Sequence, residues 1–248
     1  MNRSLGKKAT RHDARTLRMS KYLVPQIPVP AEVSWVVEIG KWPMFLNDAL
    51  GDCVLAAAGH MVQQWSHYAN PPGFTPSDAD VLRAYEVVGG YHPGDPNTDN
   101  GADMLTALKY WRKIGVGNHK IEAFVALDTK KPAEIMMATW LFGNAYVGLQ
   151  LPNTAQTQNR WTVADGGTHT PDGAIGSWGG HCVPVMAASP KTLTCVTWGE
   201  RLKMSWNFFK NYADEAYAIL SPDWIERSSG LSRSNFDLAT LRADLAAL

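Results

Sequence analysis

From Cys53 onward the apolar residues recur at helical spacing. Val54, Ala57, Ala58, Met61, Val62, Trp65 and Tyr68 fall on one stripe, which predicts an amphipathic helix packed against a core. The same period predicts a second helix, capped by Ser77 or Thr75, running through Val81, Leu82, Tyr85 and Val88 to a stop at Gly89-Gly90. A third is expected from Ala102 to Ile114, with Met104, Leu105, Leu108 and Trp111 inward. A fourth opens at Pro132 and turns Ile135, Met136, Ala138, Trp140 and Leu141 inward. Tyr22–Pro30, with three prolines, reads as extended chain, and Ser34–Val37 and Ile121–Leu127 read as strands.

Beyond Gly143 the texture becomes β. Tyr146–Leu151 is a strand, and His181–Ala187 and Leu193–Trp198 form a hairpin across Ser189-Pro190-Lys191. Trp206–Tyr212 reads as a short helix and Ala216–Leu220 as a last strand. A terminal helix from Leu238 to Leu248 is capped near Asn235 or Asp237. Two long connections stand out. Residues 91–101 are rich in turn formers, and 153–180 is rich in Thr, Asn, Gln and Gly, a length that in compact proteins usually serves function.

The expected fold class is therefore α+β in two lobes. Residues 1–22 form an arm and 23–227 one domain, with a helical lobe over about 40–142 and a β-rich lobe over about 143–222. Residues 228–248 form a tail with a short helix. A seam between such lobes is a natural cleft.

Charge changes this picture at one place. The chain is neutral overall, but residues 1–22 carry Arg3, Lys7, Lys8, Arg11, Arg15, Arg18 and Lys21 against only Asp13. Such an arm is a solvated tail or docks on an acidic partner or larger assembly; it lacks the length and aromatic interleaving for nucleic-acid binding. With no run of 18 apolar residues, no membrane span is expected, and no apolar segment follows the basic start to make a secretory signal. Three cysteines make no disulfide framework, which points to the cytoplasm. No Cys-x-x-Cys or His-Glu-x-x-His spacing supports a metal site. Ten tryptophans supply either buried anchors or an aromatic-lined cleft.

The chemistry starts at Cys53, in the first turn of its helix, where unpaired N–H groups and the helix dipole favour a thiolate. Asn47, six residues earlier, carries an amide that could donate to an oxyanion. Asp52 opposes ionisation unless it turns away to cap the helix, and a cysteine beside an apolar stripe is often a small buried hydrophobe. A base must come from elsewhere. His60 lies about 10 Å along the same helix, too far for a direct hydrogen bond. His12, His67, His92 and His119 are peripheral, and His169 is a reserve candidate in the long loop. His181 follows Gly179-Gly180, which permit close backbone approach, and opens an apolar strand, a rigid mounting for a general base.

The order of these pieces resembles the papain-like cysteine peptidases from about Trp35 to Leu220. Asn47 stands where the family has its oxyanion glutamine, and Cys53 heads its helix. Asp99-Asn100-Gly101-Ala102 precedes a Leu-rich helix ending in Ile114-Gly115-Val116, as in bacterial members. Tyr146-Val147-Gly148-Leu149, Gly-Gly-His181-Cys-Val-Pro-Val and Trp198-Gly199 complete the match. The resemblance implies that Cys53 attacks a peptide or amide carbonyl with His181 as base and then acid, that Asn47 and the Cys53 N–H hold the oxyanion, and that no cofactor is needed. Val196 occupies the position where the family carries Asn, and a one-residue shift would let the Thr197 hydroxyl orient His181 instead. Trp178, Trp198 and Trp161 would wall the substrate cleft. The alternative is a catalytically silent interaction protein on this scaffold, docking through its basic arm. An NlpC/P60-type endopeptidase is a third reading, disfavoured by the 128 residues between Cys53 and His181.

Overall fold

The computed structural model describes residues 3–23, 29–36, 38–227 and 237–247. The extended segment expected over Tyr22–Pro30 and the start of the tail fall largely outside the described residues. In chain order the elements are β1 (Val33–Ser34), α1 (Cys53–Ala69), α2 (Asp78–Gly89), α3 (Met104–Lys113), β2 (Ala123–Ala126), α4 (Pro132–Phe142) and β3 (Ala145–Leu151). They continue with β4 (Arg160–Trp161), β5 (Gly179–Ala188), β6 (Thr192–Thr197), β7 (Glu200–Ser205), α5 (Trp206–Tyr212), β8 (Ala213–Leu220), α6 (Pro222–Arg227) and α7 (Leu238–Ala246).

Helix starts follow the polar residues. Ser77 and Asp80 form a reciprocal capping box on α2, whose end is closed by Gly90 in the left-handed region. Asp103 Oδ1 accepts the Thr106 N–H at 2.9 Å to cap α3, and Asp237 caps α7. One sheet runs in the order β2-β8-β3-β5-β6-β7-β4, antiparallel except for β4 on β7, with β1 added to β5. The register sets Leu149 opposite His181 and Thr197 opposite Glu200. Strand β7 was not foreseen. Its hairpin turns on Trp198-Gly199, both with positive φ, where sequence signals usually show Asn-Gly or Asp-Gly.

Two apolar cores result. One joins α1, α2, α3 and α6; the other is built on the sheet. Ile135, Ala138 and Leu141 of α4 and Ala123 and Val125 of β2 pack into the sheet core. Strand β2 is hydrogen-bonded to β8, which fixes it to the β lobe. Helix α1 is the central element, buried on nearly every face from Cys53 to Trp65 rather than along one stripe. Two of its buried amides reach backbone carbonyls: Gln64 Nε2 donates to Gly143 O at 2.8 Å and Gln63 Nε2 to Lys41 O at 2.9 Å. The tail helix is tied down as well, with Tyr22 OH donating to Asp244 Oδ2 at 2.6 Å and Leu241 buried. Among the described residues no helix is long and apolar enough to cross a membrane.

Candidate active site

Cys53 opens α1, where that helix packs against β5. Asp52 precedes it but does not cap the helix with its side chain. Burial pushes the Asp52 carboxyl well above the usual carboxylate range. Burial also pushes the Cys53 thiol up to about 12, against hydrogen bonds from the backbone of Cys182 and Gly6 that favour the thiolate. Cys182 is the residue after His181 on β5, so the strand that carries the imidazole also brings its own backbone to the sulfur.

His181 is fully buried and held on two sides. Its Nε2 lies 2.7 Å from Thr197 Oγ1, and its ring stacks on Trp198 with centroids 4.4 Å apart and planes 13° apart. Strand alternation explains why Thr197 is the partner. Thr197 faces the imidazole, whereas its neighbour Val196 faces the other way into the helical core. Nδ1 is buried without a hydrogen-bond partner among the described residues, and no hydrogen bond links it to Cys53 Sγ. Burial lowers the imidazole pKa to about 3, and the Arg3 charge adds to that shift. Thiol and imidazole are therefore both neutral at pH 7.

The N-terminal arm runs beside this pair and is not a solvated tail. Residues 3–8 lie along the seam between the lobes in extended form. Ser4 N donates to Asn47 O at 3.0 Å, and Trp198 Nε1 donates to Ser4 O at 3.2 Å. Gly6 N and Lys7 N both donate to Gly180 O, at 3.2 and 3.0 Å. On the opposite wall Ala102 N donates to Gly6 O at 2.8 Å and Lys8 N to Ala102 O at 2.9 Å. Arg3 lies over the Trp198 ring at 5.0 Å. The fit depends on missing side chains: a Cβ on Gly6 would stand 1.7 Å from Gly51 O, and one on Gly180 would stand 2.1 Å from Lys7 O. The basic character of the arm is used here, since the fully buried Lys7 ammonium lies 2.8 Å from both Asp214 and Glu215.

Asn47 sits beside the thiol loop and is buried, with one Nδ2 hydrogen given to Leu50 O at 3.0 Å. Asp99 and Tyr85 fix that loop. Asp99 accepts the Gly51 N–H on both carboxylate oxygens, at 3.0 and 3.1 Å, and Tyr85 OH donates to Asp99. Tyr85 in turn accepts the Gly101 N–H at 2.9 Å. Asp99 lies in the turn-rich segment 91–101, where the run Asp99-Asn100-Gly101-Ala102 is the signal that marks it. The three tryptophans form one cluster at the imidazole, with Trp161 edge-on to both His181 and Trp198, at 6.4 and 6.0 Å between centroids. Trp198 covers His181, and Trp178, 5.6 Å from it, lines a recess of about 410 Å³ with Arg3, Gln156, Thr157 and Asn159. Trp161 is wholly buried behind Trp198, stacks on Phe208 and gives its N–H to Ala155 O. His60 is structural, bonded to Pro43 O at 2.8 Å and lowered by burial to about 4.

These two imidazoles predict an acid limb of stability. Each is neutral in the fold and would bind a proton in the unfolded chain below the ordinary value of 6.5. Their contribution is thus complete above pH 6.5 and is lost as pH falls toward 4 and 3. The slope is about 1.4 kcal/mol per pH unit for each histidine. Urea unfolding at pH 7, 6 and 5 should show the fall, and His60→Gln should remove one proton from the slope.

No protein-family model and no curated protein matches the chain. Solved structures do. Xylellain, a cysteine protease from Xylella fastidiosa, superposes with a TM-score of 0.69 at 15% identity, covering 89% of this chain and 98% of xylellain. Procathepsin L 3 of the Tenebrio molitor larval midgut gives 0.58 at 11% identity, covering 88% and 76%. The bromelain protease of Ananas comosus gives 0.56 at 13% identity, covering 78% and 100%. The chain thus has the two-lobe fold of the papain-like cysteine peptidases.

Proposed function

We propose that the protein is a thiol peptidase held latent by its own N-terminal arm. The observation that carries this reading is the arm itself: an extended peptide hydrogen-bonded to both walls, crossing Asn47 and Gly51 beside Cys53 and His181. A cleft that holds one extended peptide in this way is built to hold another. Once residues 3–8 leave, water returns to the thiol and the imidazole, and a proton passes from Cys53 to His181. The thiolate adds to the substrate carbonyl carbon. The oxyanion is met by the Cys53 N–H and the Asn47 amide, and such donors contribute about 3 kcal/mol each. The imidazolium gives its proton to the leaving amine. His181 then takes a proton from water, whose oxygen attacks the thioester and frees the acid product. Thr197 acts as a positioning residue that fixes the ring through Nε2.

The second reading, a silent scaffold, is favoured by the neutral thiol and imidazole of the arm-bound state. One experiment separates the two. Full-length Gly6→Val, whose Cβ collides with Gly51 O, is incubated with a mixed-sequence peptide pool. The peptidase reading expects cleavage that disappears in Gly6→Val/Cys53→Ala and Gly6→Val/His181→Ala, together with an epoxide adduct on Cys53 and none on Cys182 or Cys195. Absence of cleavage and of selective labelling would leave the scaffold alone.

A further inference from the structure

We infer that the pocket now filled by Lys7 is a specificity site that selects a basic side chain, lysine above all, in a peptide crossing the cleft. The inference rests on the peptidase reading and adds to it a class of substrate. Its position comes first. The Lys7 backbone is bonded to Gly180 O, one residue from His181, and its flanking residues are bonded to Ala102 on the facing wall. A side chain entering here therefore belongs to a peptide already aligned beside the thiol.

The chemistry of the lining comes second. Lys7 Nζ stands 2.8 Å from Asp214 Oδ2 and 2.8 Å from Glu215 Oε1, and it also donates to Lys8 O at 3.2 Å. Glu215 is nearly buried, and its other oxygen accepts from Tyr217 OH at 3.0 Å. Asp214 Oδ2 accepts from Gln150 Nε2 at 2.7 Å, while Asp214 Oδ1 is buried with no partner. The arm's Thr10 hydroxyl also reaches both carboxylates. When the arm departs, Lys7 and Thr10 go with it. Two carboxylates then remain with only Gln150 and Tyr217 as the donors described here. Carboxylates so placed need a cation, and a neutral or acidic side chain in the same slot leaves them unpaired.

The shape of the slot comes third and is independent of charge. Gly148 of β3 lies opposite both Cys182 and Glu215 in the sheet. A Cβ there would stand 2.2 Å from Lys7 Cε and 2.8 Å from Glu215 Cγ. The missing side chain opens a channel for an unbranched aliphatic stem and leaves the charged head between the two acids.

Two readouts test this on the full chain. In Gly6→Val, peptides identical except for one residue, Lys, Met or Glu, are compared. Lys should be preferred over Met by on the order of 100-fold in kcat/KM, with Glu lower still. Asp214→Asn/Glu215→Gln on the same background should abolish that preference and retain cleavage of the Met peptide. Independently, Lys7→Ala is melted with n-butylammonium or n-butanol added. The amine should raise its midpoint and the alcohol should not, and the double acid variant should lose the response. Cleavage without a Lys preference overturns the inference and spares the peptidase reading. If no peptide is cleaved, the peptidase reading falls, and equal rescue by amine and alcohol would then overturn the pocket as well.

Discussion

Wild-type protein at pH 7 is expected to react with iodoacetamide at Cys53 slowly, and Gly6→Val to react at least about 100-fold faster. The sulfur is almost wholly buried and its thiol is pushed up to about 12, so almost none of it is in the nucleophilic form. In the latent-peptidase reading the arm is the cover, and it is held by features a single substitution can remove. Gly6 passes so close to Gly51 O that any Cβ meets backbone at 1.7 Å, which no rotamer relieves. Lys7→Ala should open the cleft by a different route, because it strands Asp214 and Glu215 without their cation. Removing one member of a buried ion pair costs about 3–5 kcal/mol, and about 3 kcal/mol already shifts an opening equilibrium 100-fold. Burial lowers the Lys7 pKa, but attraction to Glu215 and Asp214 outweighs it, so the ammonium is stabilised above its usual range and the grip persists through neutral pH. Mass-spectrometric timing of the Cys53 adduct in the three proteins checks this. Equal rates in all three would show that the arm does not gate the thiol.

Much of the frame was legible because local signals agreed with the tertiary outcome. The Cys53 helix, the Ser77 cap, the Pro132 start and the His181 hairpin each rest on residues whose conformational preference matches what packing needs. The position of Thr197 could be read from strand alternation, since only one of Val196 and Thr197 can face the imidazole. Three things could not be read. The Trp198-Gly199 turn places a tryptophan at a left-handed position that local preference disfavours, and packing against His181 and Arg3 holds it there. That α4 and β2 pack on the sheet core is a long-range matter. Seven basic residues suit a solvated tail and a docking arm alike, so the course of the arm is open in the sequence. Its fate turns on Gly6 and on carboxylates more than 200 residues away.

The second large effect concerns the imidazole. In the arm-released Gly6→Val protein, His181→Ala should lower kcat/KM by on the order of 10⁴-fold, the scale of a lost general base. Thr197→Val should lower kcat about 10-fold with KM little changed, because it removes only the hydroxyl that fixes Nε2; Thr197→Ser should restore most of that loss. A purely structural Thr197 would shift folding stability in both variants and leave the pH dependence of the thiol alone.

The pH profile of Cys53 alkylation in Gly6→Val is therefore the measurement closest to the main proposition, that His181 ionises Cys53 when the arm is away. The account requires near-full reactivity at pH 7, declining only in acid, and a return to the profile of a free thiol, half-ionised near about 8.5, when His181→Ala is added. A free-thiol profile in Gly6→Val itself, unchanged by loss of the histidine, would contradict it.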